Sequence, residues 1–118
     1  MAFVLLIVEK REDRLNRPKD VGRDAYAQMV RFAESLQARG VLRAVESLKA
    51  DVDAVRIETR GGKRSMMDGP FAESKEFVGG FFLIDCPTKQ EAIAIANECP
   101  AAAWATVEVR ETGPCHGD

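Results

Sequence analysis

The group best suited to acid–base chemistry in this sequence is the carboxylate of Asp68, in the turn Asp68-Gly69-Pro70 at the end of an apolar, strand-like run. Proline fixes the backbone of such a turn, glycine tolerates positive φ, and an aspartate side chain can bond the backbone just ahead of it. A carboxylate held in a cleft can also have its pKa raised by burial and then act as a general base. Asp68 is therefore the candidate catalytic residue, and an Asx turn that only shapes the loop stays open as the alternative.

Weaker candidates lie on two other stretches. Glu46 is a charged residue among apolar positions, so its side chain either faces solvent or points into a cleft. On the predicted last strand, alternation puts Trp104 on the same face as Thr106, Glu108 and Arg110. Trp104, Thr106 and Arg110 are candidate ligand contacts. Glu108 would be a further carboxylate and Arg110 an anion clamp, unless these side chains simply lie in water.

The residues after the Asp68 turn combine acidic, basic and small side chains. Phe71 is an apolar anchor and a candidate ligand contact. Glu73 and Lys75 bring opposite charges close together, which a solvated pair on the surface explains equally well. Gly79-Gly80 leads into the next apolar run, where two glycines allow close backbone approach or a β-bulge.

Composition narrows the class of protein. The chain has 118 residues, which favours one domain, expected over residues 1–112 with a flexible tail at 113–118. Its net charge of −2, with 17 basic and 19 acidic side chains interspersed, argues against direct nucleic-acid binding. The first apolar run, residues 2–8, is too short to span a bilayer, so a cytoplasmic location is the default.

The cysteines do not indicate a metal site. Cys86, Cys99 and Cys115 are odd in number, far apart and without a C-x-x-C motif, so neither a disulfide framework nor a zinc site is expected. The first two are predicted to be small buried hydrophobic residues. His116, the one histidine, lies beside Cys115 in the tail. We expect no metal and no cofactor.

The apolar pattern predicts four main strands, at residues 3–8, 54–60, 80–86 and 104–110. The first and third are apolar at odd and even positions alike, which is typical of strands covered on both faces. The second and fourth alternate, as strands with one wet face do.

Shorter features fill the space between these strands. Gly61-Gly62 is predicted as a hairpin turn returning through residues 63–67, and residues 41–48 are ambiguous, with an irregular strand as one possibility. Residues 9–24, crowded with charges of both signs, are expected to form a solvated loop, with a helical turn as one possibility. The loop would be either a lid or ordinary mobile surface.

Two helices are predicted. The first covers residues 24–39 and stops at Gly40. The second follows Thr88, whose side chain should cap it, with Glu91 completing a capping box and Pro100 preventing its continuation.

The order strand–helix–strand–strand–helix–strand predicts an α+β, ferredoxin-like βαββαβ sheet with both helices on one face. Residues 3–8 and 80–86 would be the central strands, and residues 54–60 and 104–110 the edges. Leaving the second face of the central strands in water would sacrifice on the order of 10 kcal/mol of apolar burial. A second copy of the chain is the simplest cover, so we expect a homodimer with a cavity between the two sheets.

The residues from Asp68 to Glu76, followed by the run from Gly79 to Ile84, resemble the signature of the YCII-related proteins of the DGPF type. The Cys99-Pro100 step and the closing strand around Val107 to Arg110 are similar as well. This resemblance covers nearly the whole chain and implies a dimeric α/β-barrel-like fold in small bacterial cytosolic proteins, with relatives encoded near, or fused to, extracytoplasmic-function sigma factors.

The resemblance also limits the mechanism. One branch, the YciI-like proteins and a dehydrochlorinase of chloroaromatic breakdown, uses a His–Asp pair. This chain departs from that pattern, because no histidine lies inside the predicted fold. A histidine-based proton relay is therefore not expected.

Two functions fit the sequence. In the first, the protein binds or transforms a small molecule in a cleft between subunits, with Asp68 as the acid–base group. In the second, it is a non-catalytic dimeric partner in sigma-factor-linked transcription or signalling, which rests on the family association alone. An enclosed intersubunit pocket with Asp68 and another charged group would favour the first, and an exposed apolar patch away from the dimer contact would favour the second.

Overall fold

A computed structural model describes residues 1–116 of the chain. In this range the strands are β1 (Ala2–Lys10), β2 (Leu42–Ser47), β3 (Val55–Arg60), β4 (Lys63–Asp68), β5 (Glu76–Asp85) and β6 (Thr106–Glu111). The helices are α1 (Arg11–Asn16), α2 (Lys19–Ala38) and α3 (Lys89–Glu98), with short 3-10 turns at Asp51–Asp53 and Pro100–Ala103.

Four strands form one antiparallel sheet in the order β2-β5-β1-β6. With the hairpin β3–β4 set aside, this is the strand order of a ferredoxin-like βαββαβ fold, as predicted. The two strands that are apolar on both faces, β1 and β5, are the central pair, with Leu5 opposite Phe82 and Phe3 opposite Ile84.

The core lies between this sheet and the helices. Odd-numbered residues of β1 point into it, and Phe3, Leu5 and Ile7 are almost fully buried against Phe32 and Leu36 of α2. A T-shaped pair joins the rings of Phe32 and Phe82, whose centroids are 5.2 Å apart. The geometry favours edge-to-face attraction beyond simple burial.

The opposite face of the sheet carries no helix. Its central residues, Val4, Leu6, Val8, Phe81 and Leu83, are half-buried by their neighbours alone. They form a continuous apolar surface, which we call the open face, as the two-sided apolar pattern of the central strands predicted.

The prediction that residues 54–60 form an edge strand of this sheet was wrong. The strand exists as β3, but it pairs with β4 in a separate two-stranded hairpin, and β2 takes the edge beside β5. Gly61 and Gly62, with φ of 56° and 79°, close the hairpin locally, so β3 needs no partner in the main sheet. Neither face of β3 is covered, and Ile57 is 63% exposed.

The prediction of a loop over residues 9–24 was also wrong, although the helical turn that it allowed is present as α1. Glu9 and Lys10 extend β1, residues 11–16 form α1, and α2 begins at Lys19, five residues before the predicted start. Pro18 sits at the N-cap of α2 with φ −60°, a position where a proline favours a helix start instead of preventing the helix.

The predicted end of α2 at Gly40 and the predicted cap of α3 at Thr88 are confirmed. The backbone N–H of Glu91 donates to Thr88 Oγ1 at 3.1 Å, so Thr88 caps α3. Helix α2 ends just before Gly40, where the N–H of Val41 donates to the carbonyl of Leu36. Cys86 and Cys99 are buried free thiols, as expected.

The predicted tail at 113–118 ends in residues 117 and 118, which lie outside the described part of the chain. Cys115 is exposed. Over residues 1–116, no helix combines the length and hydropathy that crossing a membrane requires.

Candidate functional site

The turn that contains Asp68 is fixed to the rest of the protein by an arginine–carboxylate pair. The guanidinium of Arg11 forms a two-pronged ion pair with the carboxylate of Asp51, and Nη1 lies 2.6 Å from Oδ1. The same guanidinium donates to the carbonyls of Phe71, at 2.9 Å, and Ser74, at 2.8 Å. The backbone N–H of Phe71 donates a hydrogen bond to Asp51 Oδ2 at 3.2 Å. We call this network the Arg11–Asp51 clamp.

Glycine is required where the turn meets Asp51. A Cβ on Gly69 would overlap the carbonyl oxygen of Asp51 and lie 3.2 Å from the carbonyl oxygen of Ala54. The N–H of Gly69 also donates to that Ala54 oxygen at 2.7 Å. The Gly69-Pro70 peptide bond is cis. The Asp-Gly-Pro-Phe segment is thus a docking element that packs backbone against backbone.

The hydrogen bond from Arg11, followed by that from the Phe71 backbone, outweighs partial burial and lowers the pKa of Asp51 from 3.8 to about 2. Because the folded-state pKa is depressed, the stability that this carboxylate contributes is present above pH 3.8 and is lost as the pH falls toward 2. The clamp is therefore acid-sensitive.

We expect Asp51→Asn to lower the urea midpoint of unfolding at pH 6, with the difference from wild type shrinking between pH 4 and about pH 2. Asp53→Asn, in the same 3-10 turn, is the matched control, because Asp53 is exposed and bonds no described side chain. Urea titrations across this pH range give the measurement. A difference in urea midpoint between wild type and Asp51→Asn that stays constant down to pH 2 would contradict the lowered pKa of Asp51.

The structure places Asp68 outside any cleft. It is the last residue of β4, opposite Val55, and its side chain is exposed. Its carboxylate accepts no hydrogen bond from any of residues 1–116.

Phe71 is 5% exposed, and the guanidinium of Arg56 lies over its ring, 3.8 Å from the ring centroid. Glu73 forms an exposed ion pair with Arg56 at 3.4 Å. The carbonyl of Lys75 accepts from the N–H of Arg11 at 2.8 Å. Phe71, Glu73 and Lys75 thus attach the segment after Asp68 to the rest of the protein.

A cavity lies elsewhere in the structure, between α2 and the sheet. This cleft has a volume of about 1100 Å³, sufficient for a small organic molecule. Its floor is the helix-facing surface of β1 and β5, and its sides are α2 and the edge strand β2. The apolar lining includes Ile7, Met29, Val45, Phe82 and Trp104.

A buried carboxylate lies at one end of the cleft. Glu9, the last inward-facing residue of β1, has a side chain that is only 6% exposed. Its carboxylate accepts from Nε of Arg14 at 2.9 Å and from Nη2 of the same residue. Arg17 Nη2 lies 3.6 Å from Glu9 Oε1. A carboxylate removed from water needs such partners, and here two guanidinium groups supply them.

The double glycine makes room for this carboxylate. The register between β1 and β5 shifts at Val8, where a bulge places Gly79 against the side chain of Glu9. A Cβ on Gly79 would overlap Glu9 Oε2 and lie 2.9 Å from Arg14 Nη2. At Gly80 a Cβ would lie 2.8 Å from the carbonyl oxygen of Glu46. Both predicted structural roles of the double glycine, the bulge and the close backbone approach, are present.

The remaining candidates are divided between two surfaces. Trp104 packs against the core and lines the cleft. Glu46 is an exposed residue of β2 that is also part of the cleft lining, and it pairs with Phe81, whose side chain lies on the open face. Thr106, Glu108 and Arg110 are exposed on the open face, where Arg110 Nε lies 3.8 Å from Glu108 Oε2. The expectation that Trp104 lies with these three residues was wrong, because the 3-10 turn before β6 directs it to the helix side.

The sequence analysis did not identify Glu9, Arg14 and Arg17, because the first strand was predicted to end at Val8. The signal was present. Phe3, Leu5 and Ile7 alternate inward, and the same period of two places Glu9 on the buried face. Among residues 1–116, no three metal-ligating side chains cluster.

Comparisons with known proteins agree with this architecture. Residues 1–114 match the model of the YCII-related domain. An uncharacterized protein of Rhizobium meliloti (strain 1021), R00369, is 37% identical over 78 residues, which is 66% of this chain and 60% of that protein.

A solved structure has the same fold. It is the 5-chloro-2-hydroxyhydroquinone dehydrochlorinase TftG from Burkholderia phenoliruptrix AC1100, in complex with 2,5-dihydroxybenzoquinone. The match covers 99% of this chain and 96% of the enzyme, with a TM-score of 0.55 and 15% sequence identity. Together with the ferredoxin-like sheet and the docked Asp-Gly-Pro-Phe turn, the family match over residues 1–114 shows that this chain belongs to the YCII-related family.

Proposed function

We propose that this protein binds or transforms a small organic molecule in the cleft between α2 and the sheet. The observation that carries the proposal is the combination of a cavity of about 1100 Å³ with a buried carboxylate and two arginines at one end. Apolar walls with a few convergent polar groups are typical of ligand sites. The family fold also holds a quinone in TftG, which supports a small-molecule role.

The proposal moves the site away from Asp68. A general base must come within hydrogen-bond reach of its substrate, and Asp68 is exposed at the end of β4. Glu9 has the buried setting that was expected of Asp68. It is the carboxylate we assign to the ligand site, with Arg14 holding its orientation.

The site would belong to a homodimer that forms through the open face. Sheet-to-sheet contact would cover Val4, Leu6, Val8, Phe81 and Leu83, with Thr106, Glu108 and Arg110 at the polar margin. An apolar centre with a polar rim is the usual composition of such interfaces. The cleft lies on the opposite side of the sheet, so each subunit would carry its own site.

A ligand screen by thermal shift tests the proposed function. We expect at least one compound from a broad metabolite set to raise the melting temperature of wild type, and Ser47→Phe to abolish this shift. Ser47 is an exposed residue of β2 on the cleft wall, so a phenyl ring there would fill the cleft without entering the core.

Ser65→Phe is the matched control, because Ser65 is exposed on β4 and does not line the cleft. Its ligand-induced shift should equal that of wild type. The absence of any hit, or a hit that Ser47→Phe leaves unchanged, would contradict the assignment of the site.

The hairpin β3–β4 supports a second candidate function. One of its faces exposes Val55, Ile57 and Met66, with Met66 70% exposed. An exposed apolar arm is what a non-catalytic partner in transcription or signalling would present. In that case the thermal-shift screen would find no ligand.

A further inference from the structure

The cleft is lined by more basic than acidic side chains, unlike the chain as a whole. Four basic and three acidic residues line the cleft, although the whole chain has a net charge of −2. At the buried end, the single carboxylate of Glu9 faces the guanidinium groups of Arg14 and Arg17. One negative charge between two positive charges leaves an excess positive charge beside an apolar cavity.

Arg14 and Arg17 are not equivalent. Arg14 donates twice to Glu9, and its Nη1 and Nη2 each lie 3.4 Å from the carbonyl oxygen of Leu48. Arg17 has an ion contact to Glu9 at 3.6 Å, and its guanidinium forms no hydrogen bond with any other group in residues 1–116. Its side chain is nevertheless only 18% exposed. The nitrogens of this guanidinium are not fully buried and have no hydrogen-bond acceptor among residues 1–116, so its donors are available to a group in the cleft.

The start of α2 adds to the positive potential at this point. Pro18, Lys19 and Gly22 line the same end of the cleft, and the N-cap of the helix has no side-chain hydrogen bond. The first N–H groups of a helix carry a partial positive charge that favours anions. Arg17 and this helix start both line the cleft.

We propose that the ligand is a small apolar acid whose carboxylate binds Arg17, with its apolar body in the cleft against Met29, Phe82 and Trp104. The planar guanidinium fork matches a carboxylate through two parallel hydrogen bonds. The carboxylate would supply the acceptors that the protein lacks at Arg17, while Glu9 and Arg14 stay paired and fix the position of the fork. This assignment rests on the proposed function, because it specifies the ligand of the same cleft.

Acid–amide pairs test the proposal. The probes are benzoate, phenylacetate, 3-phenylpropanoate and hexanoate, each compared with its uncharged amide. The sole tryptophan, Trp104, lines the cleft, so its fluorescence reports occupancy directly. We expect at least one acid to bind about tenfold or more tightly than its amide, since hydrogen bonds to charged groups have at least this effect.

The variant Arg17→Gln should remove the preference for the acid while leaving binding of the amide unchanged. Arg31→Gln, on α2, is the matched control, because Arg31 is exposed and lies outside the cleft. Circular dichroism and the melting temperature of each variant show that the fold is retained.

Failure of this proposal can be told apart from failure of the proposed function. Amides that bind as well as acids, or an acid preference that survives Arg17→Gln, would overturn the role of Arg17 while the cleft remains a binding site. If no acid, amide or other metabolite changes Trp104 fluorescence or the melting temperature, the cleft itself is not a ligand site and both proposals fall.

Discussion

Replacing Gly69 with alanine should destabilise the protein by about 3 kcal/mol, the upper end of the cost of forcing extra atoms into a packed site. The added Cβ would overlap the carbonyl oxygen of Asp51, a backbone atom that cannot rotate away. To relieve the overlap, the Asp-Gly-Pro-Phe segment must move from the 3-10 turn. That movement breaks the bond from Gly69 N–H to Ala54 O and loosens the Arg11–Asp51 clamp.

Chemical denaturation gives the measurement, with Gly113→Ala as the matched control. A Cβ on Gly113 would meet nothing within 4 Å, so this variant should unfold within about 0.5 kcal/mol of wild type. Equal stability of the two variants would mean that the segment does not dock on Asp51 as described. In Gly69→Ala, NMR resonances that are broadened or lost only in β3 and β4 would show that the clamp positions the hairpin.

A charge in the middle of the open face should convert a dimer into a monomer. Leu6 lies in the central strand β1, between Phe81 and Glu108 on the same face. In a single chain, Leu6→Lys leaves the core untouched and places the ammonium beside the carboxylate of Glu108. In a sheet-to-sheet dimer it removes a charge from water, which we expect to weaken association by about 100-fold or more.

Sedimentation velocity over a concentration series measures this effect. Ile93→Lys is the control, because Ile93 is 42% exposed on α3, on the other side of the sheet. The control should keep the oligomeric state of wild type. A wild type that is monomeric at all concentrations, or a Leu6→Lys variant that still dimerises, would contradict the proposed homodimer.

The features that could be predicted from sequence are those set by local pattern. The central strands β1 and β5 were recognisable because apolar residues occupy both faces, and burial on one side of each is nearly complete. Thr88 and Gly40 marked helix ends because capping chemistry depends on a few neighbouring residues. The central places of β1 and β5 and the edge place of β6 then followed from the order of strands and helices, whereas the strand beside β5 was assigned wrongly.

The errors came from choices that only tertiary structure decides. The alternation in residues 54–60 indicated a strand, yet alternation does not say which strand is its partner. Residues 42–47 looked irregular but gained the edge position because Leu42 and Val45 pack against the core. Charged residues 11–16 read as a loop, although charged side chains are good helix formers when they lie on the surface.

The proposed site differs from the one expected from the sequence for a related reason. The specific motif around Asp68 attracted a catalytic interpretation, whereas in the structure Phe71 of this motif bonds Arg11 and Asp51. Glu9 carried no motif, and its importance follows from one extra residue of strand and from the space that Gly79 leaves for it. Long-range partners such as Arg17 could not be assigned without the positions of α1 and α2.

The most direct test of the proposed site is a crystal structure of the protein with a compound that raises its melting temperature. We predict density for the compound between α2 and the sheet, with its polar group at Arg17 and its apolar part against Phe82 and Trp104. Density on the open face beside Thr106, Glu108 and Arg110, or next to Asp68, with the cleft empty, would contradict the central claim.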